Sequence, residues 1–291
     1  MKEAMFYETL GDGDLRCRVC NHFCKIKVNG RGLCGVRENI KGNLYALNYG
    51  KTISYGVDPI EKKPLYHFLP GTKAYSLATV GCDFGCLWCQ NWQISQGPKS
   101  KRKVEGREIS PEEDIRNALS RGCDSIAYTY SEPTIFLEYA YDIMKMAHEN
   151  GLKNVWVSNG FMTKEVLEFI LPYVDAMNID FKGFDDEIHR KFIGAPVKPV
   201  RDNLKIIYQA GVHLEITTLV VPGFNDNLQE LEKIADFIIN ELDSSIPWHI
   251  SRFYPAWKMS NVSPTDIDIL KEAEKIGKEK GIKHIHIGNV Y

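Results

Sequence analysis

From Ala74 onward the apolar positions come in short runs, rich in β-branched and aromatic residues, separated by stretches of helical period. The runs cover 75–80, 125–130, 154–157, 176–181, 214–221 and 248–254, each of strand length. The helical patterns between them cover 111–120, 135–148, 163–170, 200–208 and 228–241. Ser110 before Pro111 is a helix start, with the hydroxyl as N-cap and proline in the first turn. Gly151 and Gly211 stand where helix C-caps are expected. A last helix over 264–280 leads to a short apolar run at 282–287. Strands alternating with helices in this way predict a parallel sheet, because each parallel crossover needs a helix. An open doubly wound α/β sheet and a full or partial β/α barrel both fit the alternation.

Residues 1–70 follow a different rule. They lack long periodic segments and are rich in Cys and Gly, which reads as a small metal-stapled N-terminal cap ahead of a main domain at 71–291. Of the 291 residues, 44% are apolar and 25% charged, an ordinary globular composition. The formal net charge of -2 gives no support for a generic nucleic-acid binder. No apolar stretch approaches the roughly 20 residues that span a bilayer, and the first residues carry no signal-peptide core. The expectation is a cytoplasmic protein without a membrane partner. In a reducing compartment, tightly clustered cysteines read as metal ligands rather than disulfides. Seven of the eight are clustered: Cys17, Cys20, Cys24 and Cys34 in one group, Cys82, Cys86 and Cys89 in another, with Cys123 left over as a core thiol.

The second group is a Cys-x3-Cys-x2-Cys triplet. A closed zinc site or a finished iron–sulfur cluster usually takes four protein ligands. Three thiolates on one short loop can instead hold three irons of a cubane and leave the fourth iron open to chemistry. A zinc knuckle completed by a distant ligand is the alternative; Trp88 inside the triplet and the strand leading into it speak for the cluster.

The loop follows the first strand of the repeat, at the end where β/α folds place their active sites. The other strand ends carry polar groups as well: Tyr128-Thr-Tyr-Ser-Glu-Pro133, Val157-Ser-Asn-Gly160, Asn178-Ile-Asp-Phe-Lys182, Val220-Val-Pro-Gly-Phe-Asn-Asp226 and Ser251-Arg-Phe-Tyr-Pro255. Taken singly, Glu132, Asp180 and Lys182 are ordinary caps or ion-pair partners. Their shared position is harder to explain in that way.

Residues 74–255 resemble the radical S-adenosylmethionine (radical SAM) superfamily, and within it the activating enzymes of glycyl radical enzymes. The triplet is similar to that superfamily's Cys-x3-Cys-x-aromatic-Cys signature. Tyr130-Ser-Glu-Pro133 resembles its Gly-Gly-Glu-Pro segment, with Tyr130 and Ser131 in place of the glycines. Asp180-Phe-Lys182 resembles the activases' Asp-x-Lys element, and Ser158-Asn-Gly160 the loop near the ribose and carboxylate of SAM. Val157 stands where activases often have an aspartate. Cys17-x2-Cys-x3-Cys-x9-Cys34, the segment from Asp58 to Phe68, Cys89-Gln-Asn-Trp92 and Ile246-Pro-Trp-His-Ile-Ser-Arg-Phe253 resemble the AmmeMemoRadiSam-system radical SAM proteins, grouped with the pyruvate formate-lyase-activating-like proteins. Many of those continue into a C-terminal Cys-x2-Cys region, which the sequence up to Tyr291 does not include.

The resemblance implies a partial (β/α)6 TIM-like barrel. It implies a [4Fe-4S] cluster on Cys82, Cys86 and Cys89 that reductively cleaves SAM to a 5′-deoxyadenosyl radical, which abstracts hydrogen from a substrate. Trp88, Ser131, Glu132, Ser158, Asn159, Asp180 and Lys182 are the implied SAM-binding residues. The implied partners are a low-potential electron donor of flavodoxin or ferredoxin type and an unidentified protein, RNA or small-molecule substrate; a glycyl radical enzyme is one candidate. No residue is assigned to the hydrogen abstraction itself. Cys17, Cys20, Cys24 and Cys34 make a second site, either zinc or an auxiliary iron–sulfur cluster. A non-catalytic iron–sulfur or zinc module for electron transfer or docking is the competing reading, and it leaves the strand-end charges unexplained.

Overall fold

The computed structural model describes residues 1–290. The chain divides into two compact units, Met1–Asp83 with Asn91–Ala176, and Phe84–Gln90 with the residues from Met177 on.

The first unit opens with six short strands: β1 (Lys2–Glu3), β2 (Tyr7–Thr9), β3 (Leu15–Cys17), β4 (Lys25–Ile26), β5 (Arg37–Ile40) and β6 (Asn43–Ala46). They pair as two small antiparallel sheets, in the orders β1-β6-β5 and β2-β3-β4. Their shared core is modest, with Ala4, Leu15, Val19, Ile26 and Leu44 packed around Cys17. Sheets this small do not stabilise themselves, so the cap depends on what it is fastened to. One fastening is fully buried. Arg37 of β5 forks onto Glu138, Nη1 donating to Oε1 and Nη2 to Oε2, each at 2.8 Å. The Met5 amide donates to the same carboxylate at 2.9 Å.

The rest of this unit is a mixed sheet. β7 (Lys51–Pro59), β8 (Lys73–Thr79), β9 (Arg107–Glu108), β10 (Ser125–Tyr128) and β11 (Lys153–Ser158) lie in the order β11-β10-β8-β7-β9. β8, β10 and β11 are parallel, and β7 runs antiparallel to β8. The helices are α1 (Trp92–Lys101), α2 (Pro111–Ser120), α3 (Leu137–Glu149) and α4 (Lys164–Ile170). Every residue of β10 is buried, as expected of a parallel strand covered on both faces. Ile60, Leu65, Ala74, Ala127, Val155 and Ala176 form one of its core clusters.

The second unit resumes at Met177, inside β12 (Ala176–Asp180), and continues with α5 (Asp186–Ile193), α6 (Lys198–Gln209), β13 (His213–Val220), α7 (Leu228–Glu241), β14 (Trp248–Arg252), α8 (Ile267–Glu279) and β15 (Ile285–Gly288). Its strands follow in the order β12-β13-β14-β15, with β13, β14 and β15 parallel. Gly277 lets α8 approach the sheet, since a Cβ there would meet Ile285 Cδ1 at 2.6 Å.

The expected strands and helices are present with small shifts at their ends. The strand expected over 125–130 stops at Tyr128, because Tyr130 takes φ 62 and leaves the extended region. Three elements escape the apolar pattern. α1 carries Gly97 and Pro98 in its interior, both poor helix residues. α5 is short, at eight residues, with only a brief apolar stripe. β7 is inverted: Thr52 and Asp58 are buried while Tyr55 and Val57 are exposed, so its apolar side chains mark the outer face rather than the core.

Candidate functional site

The first unit builds a buried polar group where β8, β10 and β11 end. Glu132 follows β10 and is 1% exposed. Its Oε1 accepts from Ser158 Oγ at 2.8 Å and from the Thr134 amide at 3.0 Å. Its Oε2 accepts from the Asn159 amide at 2.9 Å. A carboxylate offers about four lone-pair sites, so three bonds leave one acceptor position on Oε2. Burial, reinforced by the nearby Asp83 carboxylate, pushes the Glu132 carboxyl well above its ordinary range.

Asp83 lies between Cys82 and Phe84 and is 4% exposed. Asn159 Nδ2 donates to its Oδ1 at 2.7 Å, while the buried Oδ2 has no hydrogen-bond partner among the described residues. Such orphaned oxygens are rare and costly. Together, the orphaned Asp83 Oδ2 and the remaining position on Glu132 make acceptors suited to an ammonium group. The apolar company of Asp83 in the triplet loop was the available signal for it, and reading the loop for cysteines alone passes over it.

Three of the expected binding residues have their side chains engaged in bracing. Ser131 Oγ donates to the Thr79 carbonyl at 2.8 Å. Ser158 Oγ serves Glu132 and accepts from the Gly160 amide at 3.0 Å. Asn159 uses Nδ2 on Asp83 and Oδ1 on the Phe161 amide. A second group not foreseen from sequence stands beside them. Lys63 is 2% exposed, and its Nζ donates to Asp58 Oδ2 at 2.7 Å. The Tyr130 hydroxyl donates to the same oxygen. The Tyr130 backbone carbonyl in turn accepts from Asn91 Nδ2 at 2.7 Å. Tyr130, a departure from the double glycine of the resembled motif, thus anchors the turn into Glu132 by its side chain.

Gly81 sets the approach to Cys82. At φ +107 it occupies backbone that favours glycine, and a Cβ there would meet Val36 Cγ1 at 2.9 Å and the Cys34 carbonyl at 3.1 Å. Gly81→Ala is expected to destabilise the protein by about 2–4 kcal/mol, combining backbone strain and overpacking. Chemical denaturation of the two proteins side by side measures it; an unchanged midpoint contradicts the crowding.

The second unit holds the rest of the triplet. Cys86 and Cys89 close a turn, the Cys89 amide donating to the Cys86 carbonyl at 3.1 Å. The Gly85 and Leu87 amides donate to the Ile193 and Phe192 carbonyls at the end of α5, at 2.8 and 3.1 Å. Trp88 is 3% exposed, its ring packed on Phe224 at a centroid distance of 4.7 Å. That indole is a packing group, which leaves its backbone as the part able to meet a ligand. After β12, Lys182 Nζ donates to Asp180 Oδ2 at 2.8 Å. Burial pulls the Lys182 pKa down, but Asp180 and the Cys86 and Cys89 sulfurs outweigh it and hold the ammonium above its usual range. Asn225 Nδ2 donates to the Lys182 carbonyl at 2.6 Å, and Glu230 Oε1 accepts from the Asp185 amide at 2.7 Å, fixing the loop. His189 is structural, buried with Nδ1 on the Ala195 carbonyl at 2.6 Å.

Among the described residues, no group of three or more His, Cys, Asp or Glu is disposed to hold a metal ion, and no disulfide joins the eight cysteines.

The model of the family described as "Radical SAM superfamily" matches residues 76–238. The chain belongs to the radical SAM superfamily. It is 47% identical over 290 residues, all of this chain and 86% of the relative, to the uncharacterized protein MJ0808 of Methanocaldococcus jannaschii. It is 25% identical over 215 residues, 68% of this chain and 87% of the relative, to the pyruvate formate-lyase-activating enzyme of Clostridium pasteurianum. In solved structures the fold is similar to a radical SAM methyltransferase from Sphaerobacter thermophilus, with a TM-score of 0.56 at 13% identity over 76% of this chain and 67% of that one. It is also similar to Streptococcus suis SuiB bound to S-adenosylmethionine, with a TM-score of 0.55 at 13% identity over 72% of this chain and 48% of that one. These likenesses concern the fold: α/β, with the partial TIM-like barrel core of radical SAM enzymes and a Cys-rich N-terminal segment. As a radical SAM enzyme, the protein works with a [4Fe-4S] cluster and SAM. No helix among the described residues is long and apolar enough to cross a membrane.

Proposed function

We propose that Cys82, Cys86 and Cys89 carry the [4Fe-4S] cluster, and that the strand-end residues hold SAM for its reductive cleavage. When bound, the cluster supplies one electron to the sulfonium and yields a 5′-deoxyadenosyl radical for hydrogen abstraction. The observation that carries the residue assignment is the buried Glu132–Asp83 pair, in which Asp83 Oδ2 has no hydrogen-bond partner among the described residues and Glu132 Oε2 accepts only the Asn159 amide among the bonds described. An ammonium such as the SAM amino group satisfies both and offsets their burial. Lys182, pinned by Asp180 next to Cys86 and Cys89, supplies positive charge for the SAM carboxylate. Ser131, Ser158 and Asn159 are positioning residues, and Trp88 holds the turn that presents Cys86 and Cys89. Residues 1–70 act as a cap that fastens the loop before Cys82.

Anaerobic incubation of the reduced protein with SAM, assayed for 5′-deoxyadenosine, tests the reading; absence of cleavage by a cluster-loaded protein overturns it. Glu132→Gln keeps the shape but removes the charge and one acceptor. SAM binding is expected to weaken by about 100-fold, the size of a lost charge-assisted hydrogen bond plus an unpaired donor. Equilibrium dialysis with SAM measures this, and unchanged affinity removes Glu132 from the site.

The substrate reading favoured by the relatives is a protein glycyl residue. Besides the enzyme of Clostridium pasteurianum, the chain is similar to a benzylsuccinate synthase activating enzyme of Thauera aromatica, 28% identical over 148 residues that make up 44% of that relative. An RNA or small-molecule substrate is the competing outcome, and a flavodoxin- or ferredoxin-type protein is the proposed reductant. A glycyl radical signal by electron paramagnetic resonance, formed only when SAM, reductant and a candidate glycyl radical enzyme are all present, distinguishes the protein substrate.

A further inference from the structure

We infer that Asp58, Lys63 and Tyr130 are positioning residues for SAM, which hold the turn that aims Glu132. This rests on the proposed role of Glu132 as an acceptor for the SAM amino group. All three side chains belong to the first unit. Two of them come from the segment Asp58–Phe68, which neither the cysteines nor the strand ends account for.

That segment lies across one face of the sheet. Ile60 and Leu65 are fully buried against Ala74 of β8, Ala127 of β10 and Val155 of β11, with Phe68 packed beside them. Tyr75, the next residue of β8, reaches α2 instead, its hydroxyl donating to Asp114 Oδ1 at 3.1 Å. Successive strand residues point to opposite faces, so the segment covers the face turned away from α2. Alanine at 74 and 127 leaves room for it. The packing of Ile60 and Leu65 fixes the backbone on which Asp58 and Lys63 stand, and the Lys63 amide donates to the Ile60 carbonyl at 2.8 Å.

Tyr130 is gripped twice. Its hydroxyl donates to Asp58 Oδ2, the oxygen that also accepts from Lys63 Nζ at 2.7 Å. Lys63 Nζ lies 4.5 Å from the centroid of the Tyr130 ring, a cation–π contact strengthened by burial. Burial, with the Asp58 carboxylate, pushes the Tyr130 hydroxyl up to about 12, so it keeps its proton and goes on donating at neutral pH.

The grip has a consequence for the backbone. Tyr130 has φ 62, a left-handed conformation that a bulky residue holds only where its surroundings impose it. The chain closes a tight turn around it, the Ser131 amide donating to the Thr129 carbonyl and Ser131 Oγ to the Thr79 carbonyl, both at 2.8 Å. Asn91 Nδ2 donates to the Tyr130 carbonyl at 2.7 Å. Glu132 leaves this turn directly, with its carboxylate on Ser158 and Asn159. Glycine reaches such a turn by backbone freedom; here a side chain anchored on Asp58 imposes it.

SAM binding to the cluster-loaded full chain, measured by equilibrium dialysis, tests the group. Tyr130→Phe keeps the ring and removes only the hydroxyl. SAM is expected to bind about 10-fold more weakly, the size of one net hydrogen bond. In the cleavage assay KM for SAM rises while kcat at saturating SAM is unchanged, a split that loss of stability alone does not produce. Asp58→Asn with Lys63→Met removes both charges together, so neither is left buried alone, and is expected to weaken SAM at least as much. Because Tyr130 acts through Glu132, Tyr130→Phe is expected to cost nothing further in a chain that already carries Glu132→Gln. Should Tyr130→Phe lose iron or its fold, Asn91→Ala loosens the same turn from an exposed residue whose side chain caps nothing on α1, and weaker SAM binding is again expected. Unchanged affinity in these variants overturns the inference, as does a full further loss from Tyr130→Phe on the Glu132→Gln background. Weakening by Glu132→Gln alone strikes the positioning group and leaves Glu132 in the site; unchanged binding in Glu132→Gln strikes the assignment of Glu132 itself.

Discussion

Cys82→Ala is expected to lower 5′-deoxyadenosine formation to the background of the protein-free reaction. Cys82 follows Gly81 directly, and its neighbour Asp83 is bonded on one side to Asn159 and on the other to His22. The Cys82 thiol adds a contact to Asp83 Oδ1 at 3.8 Å, and alanine removes that sulfur while the His22 and Asn159 bonds to Asp83 stay. A three-thiolate site reduced to two does not retain a cubane, so iron falls by about four per chain, while the Glu132 and Asp83 carboxylates stay in place. Metal and sulfide analysis with a SAM cleavage assay on the same sample checks it. An intact cluster with normal turnover would sink the assignment of the triplet.

The second large effect concerns stability. Glu138→Ala removes the carboxylate to which Arg37 forks. Both side chains are buried, at 2% and 0% exposure. Breaking such a pair leaves a guanidinium charge without compensation, and the expected loss is about 3–5 kcal/mol. The Met5 amide loses its acceptor in the same substitution. Denaturant unfolding measures the change. Replacing both partners, Arg37→Met with Glu138→Leu, is expected to cost less than Glu138→Ala alone, because no charge is left behind. A double variant as unstable as the sum of the singles refutes the coupling. Since Arg37 also lines the four-cysteine cavity, the pair joins cap stability to that site.

The alternation was legible where the parallel strands are buried and the helices between them carry an apolar stripe. β10, uniformly buried, reads directly from Ser125-Ile-Ala-Tyr128. β7 was not legible, because its polar residues face inward and its Tyr55 and Val57 face outward; the reversal follows from its pairing with β8, which no local pattern records. In the site, the cysteines, Glu132, Asp180 and Lys182 stood out by residue type at strand ends. Asp83 and the Asp58–Lys63–Tyr130 group did not. Their significance is the partners they meet, across 76 residues for Asn159 and Asp83 and 72 for Tyr130 and Asp58.

The sequence by itself determined the parallel α/β plan, the two cysteine groups and the radical SAM membership, since all three rest on residue type and short-range spacing. The tertiary structure decided which polar groups are bonded to one another and which buried atoms are left over. Arg37 meets Glu138 across 101 residues, and four cysteines share one cavity with that arginine. Such pairings follow from how separate elements pack, and burial then makes each unpaired atom costly enough to point to a ligand.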